Sequence, residues 1–447
     1  MKYEVYDIAI IGSGLGGLTA GTHLSRMGFK TLMVESLGRI GGRFSTVEKG
    51  GFKLPTGAVL IPDGWVIRLM EEMGVDTKPL RPVSRMFFRI DGKRHEVPPE
   101  GGLPMLLDLI DKLEEEDARR TGRAIKAVNL NKIIDAYLKG MGGIEQEHII
   151  TVRDWLLQYT ENEKVHEIFD NLCAALLMAH SCELPVSSLF GFGMLTKFYI
   201  ASNSNLSIAN ALAGIIEENG SVWANCPAKK VVVKRGKATG IVVEKEGKEA
   251  EIQCKVVISN VSPKRTIELA GQKNFDDEYL RNIRVHLRPS PSLLILVASK
   301  KPLCLEGIHD GMEVLLGSRR IKNVVPISNV CPELAPPHQH LLYTSAEPLS
   351  SLYPMDIKYE AQQCKRDLME MFPDFEKHGR ILQIRPCDVE RDWPEGRTWV
   401  GYGLPLETTI PNLFNVGDAC LAPELNGTSG AVESGYRVAE IIRDKLG

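Results

Sequence analysis

Six consecutive residues near the start of the chain, Gly12-Ser13-Gly14-Leu15-Gly16-Gly17, have the types and spacing to hold a phosphate. They stand between the apolar run DIAIIG and the stretch LTAGTHLSRMG, whose apolar residues recur at helical intervals. Gly12 permits a tight turn, Gly14 lacks a side chain where a pyrophosphate would approach, and Gly17 lets a helix pack on a strand. The start of that helix offers N–H groups and a positive dipole end to an anion. KTLMVE reads as a second buried strand ending in Glu35, followed by Ser36. A carboxylate there accepts hydrogen bonds from ribose hydroxyls. The chemistry these residues point to is dinucleotide binding.

Two further groups decide which dinucleotide. Gly42 and Arg43 follow Glu35 closely, and an arginine after paired glycines can reach a pyrophosphate as a charge partner. Near the other end, PNLFNVGDACLAPELNGTSGAVESG holds a strand, then Gly417-Asp418, then a glycine-rich entry into a closing helix. A second strand-and-helix approach of this kind suits an extended cofactor such as FAD better than NAD. Asp418 would bond the ribityl or pyrophosphate region. A helix start at Gly430-Ala431-Val432 would aim N–H groups at the flavin edge that gains negative charge on reduction.

The positioning elements are an α/β set. A chain of 447 residues calls for two domains. NGSVWANCPAKKVVVKRGKATGIVVEKEGKEAEIQCKVVISNVSP (219–263) reads as four short strands with polar turns. Residues 102–204 read as mostly helical, PSLLILVAS and LLYTSAE as strands, and MDIKYEAQQCKRDLMEMF as an amphipathic helix stopped by Pro373. A net charge of -3 gives no electrostatic reason to bind nucleic acid. The nine cysteines are scattered without CxxC spacing, which predicts reduced thiols and a cytoplasmic protein. No run approaches the ~20 apolar residues of a membrane span, and no leader precedes the glycine motif. SSLFGFGMLTKFYIA (187–201) suits either a cavity wall or an apolar patch for peripheral membrane contact.

Taken jointly, GSGLGG, Glu35, GGR, VGD and GAVESG resemble the FAD-dependent amine oxidase and phytoene desaturase superfamily. The resemblance covers the first 60 residues or so, a middle segment and the last 40 or so. It implies a discontinuous Rossmann-like FAD-binding domain (1–61, 205–272 and 405–447) with a mixed α+β substrate domain (62–204 and 273–404). It also implies an adenine contact from the backbone near Val231, and close backbone approach to the flavin at Gly57 and Ala58, where Pro55 stands in place of a frequent acid.

Some relatives link a cysteine to the flavin. The comparable stretch RTWVGYGLP has none, so FAD is expected to be non-covalent. Of the two aromatic residues that bracket an amine in amine oxidases, Tyr402 is a candidate, with Trp399 nearby, while the second position falls on Gly427. The lysine usual on the strand PSLLILVAS is missing. These departures imply a desaturase or dehydrogenase, or the reverse saturation, acting on a small, largely apolar substrate. An amine oxidase and a non-redox isomerase or lipid-binding protein of the same fold are the alternatives. The electron acceptor would be oxygen, a quinone or a redox protein. The HxH pair His338 and His340 is read as solvated rather than metal-binding, and no metal is expected.

Overall fold

The computed structural model describes residues 5–98, 102–121, 150–192, 197–288, 292–303, 305, 311–347, 355–386, 397–398, 404–420, 425 and 427–447. The chain is mixed α/β, with parallel and antiparallel sheets. Its nucleotide-binding part is made, in chain order, of β1 (Tyr6–Ile11), α1 (Leu15–Arg26), β2 (Thr31–Val34), α2 (Trp65–Met73), α3 (Asn205–Glu217), β3 (Ser221–Trp223), β4 (Ala228–Lys234), β5 (Lys237–Lys245), β6 (Lys248–Ser259), β7 (Leu413–Asn415) and α4 (Gly427–Leu446).

β3, β2, β1, the end of β6 and β7 run parallel in that order. Residues 8–11 of β1 and 32–34 of β2 read as apolar runs because this sheet is covered on both faces. Ile8, Ile10, Leu32 and Met33 are fully buried, each contributing about 1.5–3 kcal/mol of apolar transfer. β6 does two jobs. Its first half pairs antiparallel with β5, from Lys245↔Lys248 to Gly240↔Gln253, and β5 pairs with β4. Its second half lies between β1 (Tyr6↔Cys254 to Ile11↔Ser259) and β7 (Val257↔Leu413). The four strands expected over 219–263 are therefore present.

α1 packs against α3 and α4. The α1–α4 crossing is close because both helices offer glycine: a Cβ on Gly435 would lie 2.4 Å from the Gly16 carbonyl oxygen. The nucleotide-side core extends past the expected boundaries at 61 and 272. Val66, Leu69, Met70 and Met73 of α2 belong to it, as do Tyr279 and Ile283 of the helix Asp277–His286.

On the other side, Leu293–Ser299 is the central strand of an antiparallel sheet, between His340–Ala346 and Gly379–Pro386. Its side chains divide by the two-residue period of a strand. Leu293, Ile295 and Val297 join a core with Cys364 and Leu368 of the helix Ile357–Met371. Leu294, Leu296 and Ala298 join a second core with Ile168, Phe169 and Leu172 of the helix Glu163–Leu177. The stretch 102–204 is helical at Leu103–Thr121, Val152–Leu157, Glu163–Leu177 and Val186–Phe192. It also supplies the strand Phe198–Ala201, which pairs with Ile61–Pro62 and Leu80–Pro82. Ser187, Ser188, Leu189, Phe198, Ile200 and Ala201 of the stretch 187–201 are buried. Among the described residues, no helix is long and apolar enough to cross a membrane.

Candidate cofactor site

The glycine turn sits at the C-terminal end of β1. Gly12 adopts φ +92°, a left-handed conformation that disfavours a side chain, and its N–H donates to the Val34 carbonyl at 2.8 Å. The Glu35 carboxylate is buried and held on both oxygens. Oε2 accepts from the Ser13 N–H (2.9 Å) and Oγ (2.6 Å). Oε1 accepts from the Leu37 N–H (2.9 Å) and the Ser36 Oγ (3.2 Å). The loop after β2 is tied to the same turn, because the Gly41 N–H donates to the Ser13 carbonyl and hydroxyl, both at 3.1 Å.

α1 starts with Gly14 as its N-cap, and its first helical bond runs from the Leu18 N–H to the Gly14 carbonyl at 2.9 Å. The N–H of Gly17 donates to Asn260 Oδ1 at 2.6 Å. The N–H groups of Gly14, Leu15 and Gly16 meet no acceptor among the described residues. Orphan donors on a helix tip suit a diphosphate. One sequence expectation changes here. A Cβ on Gly14 would lie 2.3 Å from Asn260 Nδ2, so the missing side chain makes room for a side chain of the protein itself. A Cβ on Gly17 would come within 2.6 Å of the Gly12 carbonyl oxygen, so its absence lets the helix start lie against the turn after β1.

The distant motifs converge on this tip. A Cβ on Gly16 would lie 2.9 Å from the Gly417 nitrogen and 3.0 Å from the Ala431 carbonyl oxygen. The Gly417 N–H donates to Ser434 Oγ at 2.9 Å, and that hydroxyl donates to the Ala431 carbonyl at 2.8 Å. Gly42 faces Gly14, with only 3.6 Å between the Gly14 Cα and a Cβ built on Gly42. The Arg43 guanidinium pairs with Asp418 Oδ1 at 2.6 Å, both side chains being largely buried. The Gly42 carbonyl accepts from Thr56 Oγ1 (2.8 Å) and Arg39 Nη1 (2.7 Å), and the Arg43 carbonyl accepts from the Ala58 N–H at 3.0 Å. Asn205 Nδ2 donates to the Ala58 carbonyl at 2.7 Å, which fixes the turn carrying Gly57.

Other expected residues fall elsewhere. α4 begins at Gly427, three residues before the expected start. Ala431 and Val432 therefore lie within the helix, where N–H groups serve helical bonds, and the tip is Gly427-Thr428-Ser429. Val231 is fully buried, with its backbone paired to Ile241. The segment that touches the end of β2 is earlier: the Asn225 N–H donates to the Leu37 carbonyl at 2.9 Å and the Cys226 N–H to the Glu35 carbonyl at 2.8 Å. Trp399 and Tyr402 lie outside the described residues. His338 has φ +62° ahead of the strand that His340 opens, so the two do not share a strand face. Among the described residues, no three His, Cys, Asp or Glu side chains gather as for a metal.

The sequence reading missed Asn260 and Arg385. Arg385 is paired across the sheet with Leu294, and its Nη1 donates to the Thr56 carbonyl at 3.2 Å. This brings one cation of the substrate-side sheet to the Gly57 turn.

Fold and site together define an α/β protein of the dinucleotide-binding kind, in which the first and last glycine motifs meet at one helix tip. The profile of flavin-containing amine oxidoreductases matches residues 15–443, and the chain belongs to that family of FAD-dependent oxidoreductases. Prolycopene isomerase of Daucus carota is 21% identical over 99% of this chain and 80% of its own length. Flavin-containing amine oxidase B of Canis lupus familiaris is 28% identical, over 37% of this chain and 32% of its own. Among solved structures, an oxidoreductase from Methanosarcina mazei superposes with a TM-score of 0.79 at 23% identity, covering 97% of this chain and 100% of the other. Wild-type putrescine oxidase superposes with a TM-score of 0.70 at 16% identity, covering 99% of both chains.

Proposed function

We propose that the protein binds FAD non-covalently and exchanges a hydride with a C–H bond of a small, largely apolar substrate, as a desaturase, dehydrogenase or saturase. The observation that carries this reading is the strand Leu293–Ser299, on which no lysine occurs. The full-length likeness to a prolycopene isomerase supports it, whereas the likeness to amine oxidase B covers 37% of the chain.

In this reading the N–H groups of Gly14, Leu15 and Gly16 hold the diphosphate, and Arg43 adds charge to it. Glu35 receives the ribose hydroxyls in place of the Ser13 and Ser36 hydroxyls that it accepts here. The α4 tip at Gly427–Ser429 donates toward the flavin ring. FAD, when bound, supplies the two-electron chemistry. The protein orients the substrate against it and excludes water. Non-covalent attachment is supported by Cys420, the cysteine beside Gly417-Asp418. It is packed in the core, and burial pushes its thiol up to about 12, which disfavours the reactive thiolate.

The likeness to prolycopene isomerase also favours a second reading, in which flavin supports isomerisation of a polyene without net oxidation. One experiment separates these readings. Purified protein is precipitated with acid, and flavin in the supernatant is measured. The holoprotein is then mixed without oxygen with apolar polyenes and with amines. Release of FAD and bleaching of the flavin band by a polyene are expected. Flavin that stays with the pellet refutes non-covalent binding. Isomerised product without bleaching would select the isomerase, and peroxide formed with an amine in air would select the amine oxidase.

A further inference from the structure

Asn260 stands where the two glycine motifs meet. It follows β6 directly, and its own N–H donates to the Ile11 carbonyl at 2.8 Å, so its backbone is fixed to the end of β1. Its side chain caps α1 from a residue 243 positions away in the sequence. The Gly17 N–H is a donor, so the amide atom facing it is the oxygen, and this sets the other atom as the NH2 group. Five glycines are close to the residue. A Cβ on Gly12 would lie 3.1 Å from its carbonyl oxygen, one on Gly14 2.3 Å from Nδ2, and one on Gly16 2.7 Å from Oδ1. A Cβ on Gly17 would be 3.1 Å from its Cβ, and one on Gly417 3.7 Å from Oδ1. Nδ2 meets no acceptor among the described residues and lies beside Gly14, whose own N–H is one of the three orphan donors.

We propose that Asn260 is a positioning residue for the cofactor: its Oδ1 fixes the first turn of α1, and its Nδ2 donates to the diphosphate held there. An amide meets both demands because it carries an acceptor and a donor on one planar group. A carboxylate of the same shape meets only the first. The proposal rests on the FAD reading above, and its test keeps the two separable.

Apo-protein is titrated with FAD, following the quenching of flavin fluorescence, for wild type, Asn260→Asp and Asn260→Ala. Urea unfolding of the apo-proteins is measured alongside. Asn260→Asp retains the acceptor for Gly17, and its charge is favourable at a helix N-terminus. Its apo unfolding midpoint is expected to equal or exceed that of wild type. Its Kd for FAD is expected to rise at least 100-fold, because a donor has become a like charge against the diphosphate. That ratio should shrink as salt rises. Asn260→Ala loses cap and donor together, so its midpoint falls and its Kd rises about tenfold.

An Asp variant that binds FAD within threefold of wild type overturns the proposal. So does a weaker-binding Asp variant whose loss is matched by a fallen apo midpoint and is indifferent to salt. If Asn260→Asp does not fold, Asn260→Ala decides: a Kd within threefold of wild type overturns the proposal. A wild-type protein that binds no FAD removes the cofactor reading itself, which is a different failure.

Discussion

Gly14→Ala tests the geometry of the helix tip directly. Gly14 has φ -64° and ψ 168°, which any residue adopts, so alanine brings no backbone strain. Its new methyl would sit 2.3 Å from Asn260 Nδ2, far inside contact distance, and the amide must leave. The hydrogen bond to the Gly17 N–H goes with it, at a cost of about 1 kcal/mol. Displacing a packed side chain adds about 1–3 kcal/mol. The variant is therefore expected to lose about 2–4 kcal/mol. The three nearest atoms to that methyl all belong to the Asn260 amide, so in an Asn260→Ala background the clash disappears. Alanine as a poorer N-cap costs up to about 1 kcal/mol in both backgrounds and cancels between them.

A double-mutant cycle on the apo-protein, by urea unfolding with tryptophan fluorescence, should give a coupling of about 2–4 kcal/mol between the two positions. Gly17→Ala is the control, because its methyl would meet the Gly12 carbonyl oxygen at 2.6 Å, which remains in either background. A coupling below about 0.5 kcal/mol for Gly14, or an equal one for Gly17, would refute the reasoning.

Arg43→Met leaves the Asp418 carboxylate without its guanidinium partner beside the diphosphate site. Flavin retained through gel filtration should fall, with Kd raised about 10–100-fold, and Arg43→Met/Asp418→Asn should retain more than the single variant. Retention equal to wild type by the single variant would contradict the assigned role. His23 of α1 lies with its ring centroid 4.1 Å from that of Tyr436, and its Nε2 is buried without a partner among the described residues. Burial holds the imidazole below its ordinary value, assisted by Arg68 and opposed by Glu72 and Glu440. The unfolded chain then binds a proton that the folded chain refuses, so this contribution to stability is complete above pH ~6.5 and is lost as the pH falls below it. His23→Phe, which keeps a ring against Tyr436, should show a flatter decline in urea midpoint from pH 7 to pH 5. Parallel declines would refute this.

The sequence made β1, α1 and β2 legible because a doubly covered strand is apolar throughout and the turn after it needs glycine. The strand Leu293–Ser299 was equally plain as an apolar run, and only the structure shows that its two faces serve two cores. Which core claims an apolar stripe was not legible. Val66, Leu69, Met70 and Met73 fit any core, and only the folded chain shows that they close the nucleotide side. The start of α4 was misplaced because NGTSG serves equally as a turn or as a helix entry. Asn260 escaped notice because a helix cap supplied from a distant loop leaves no local spacing to read. The space a Gly14 side chain would fill was assigned to the ligand for the same reason: the residue that occupies it, Asn260, is remote in sequence. Arg385 carries no signal in GRILQIRP beyond being one more charged residue on a strand.

The double duty of β6 governs the order in which this chain can mature. When β1, α1 and β2 leave the ribosome, one side of β1 has no neighbour until residues 254–259 emerge, and those residues in turn lack one until residues 413–415 do. At ordinary synthesis rates of about 5–20 residues per second, the newborn amino-terminal unit waits roughly 12–50 seconds with an open strand edge. Such an edge invites pairing with other chains during translation. A stop codon only a few dozen residues early removes residues 413–415 and leaves the edge at residues 257–259 open for good.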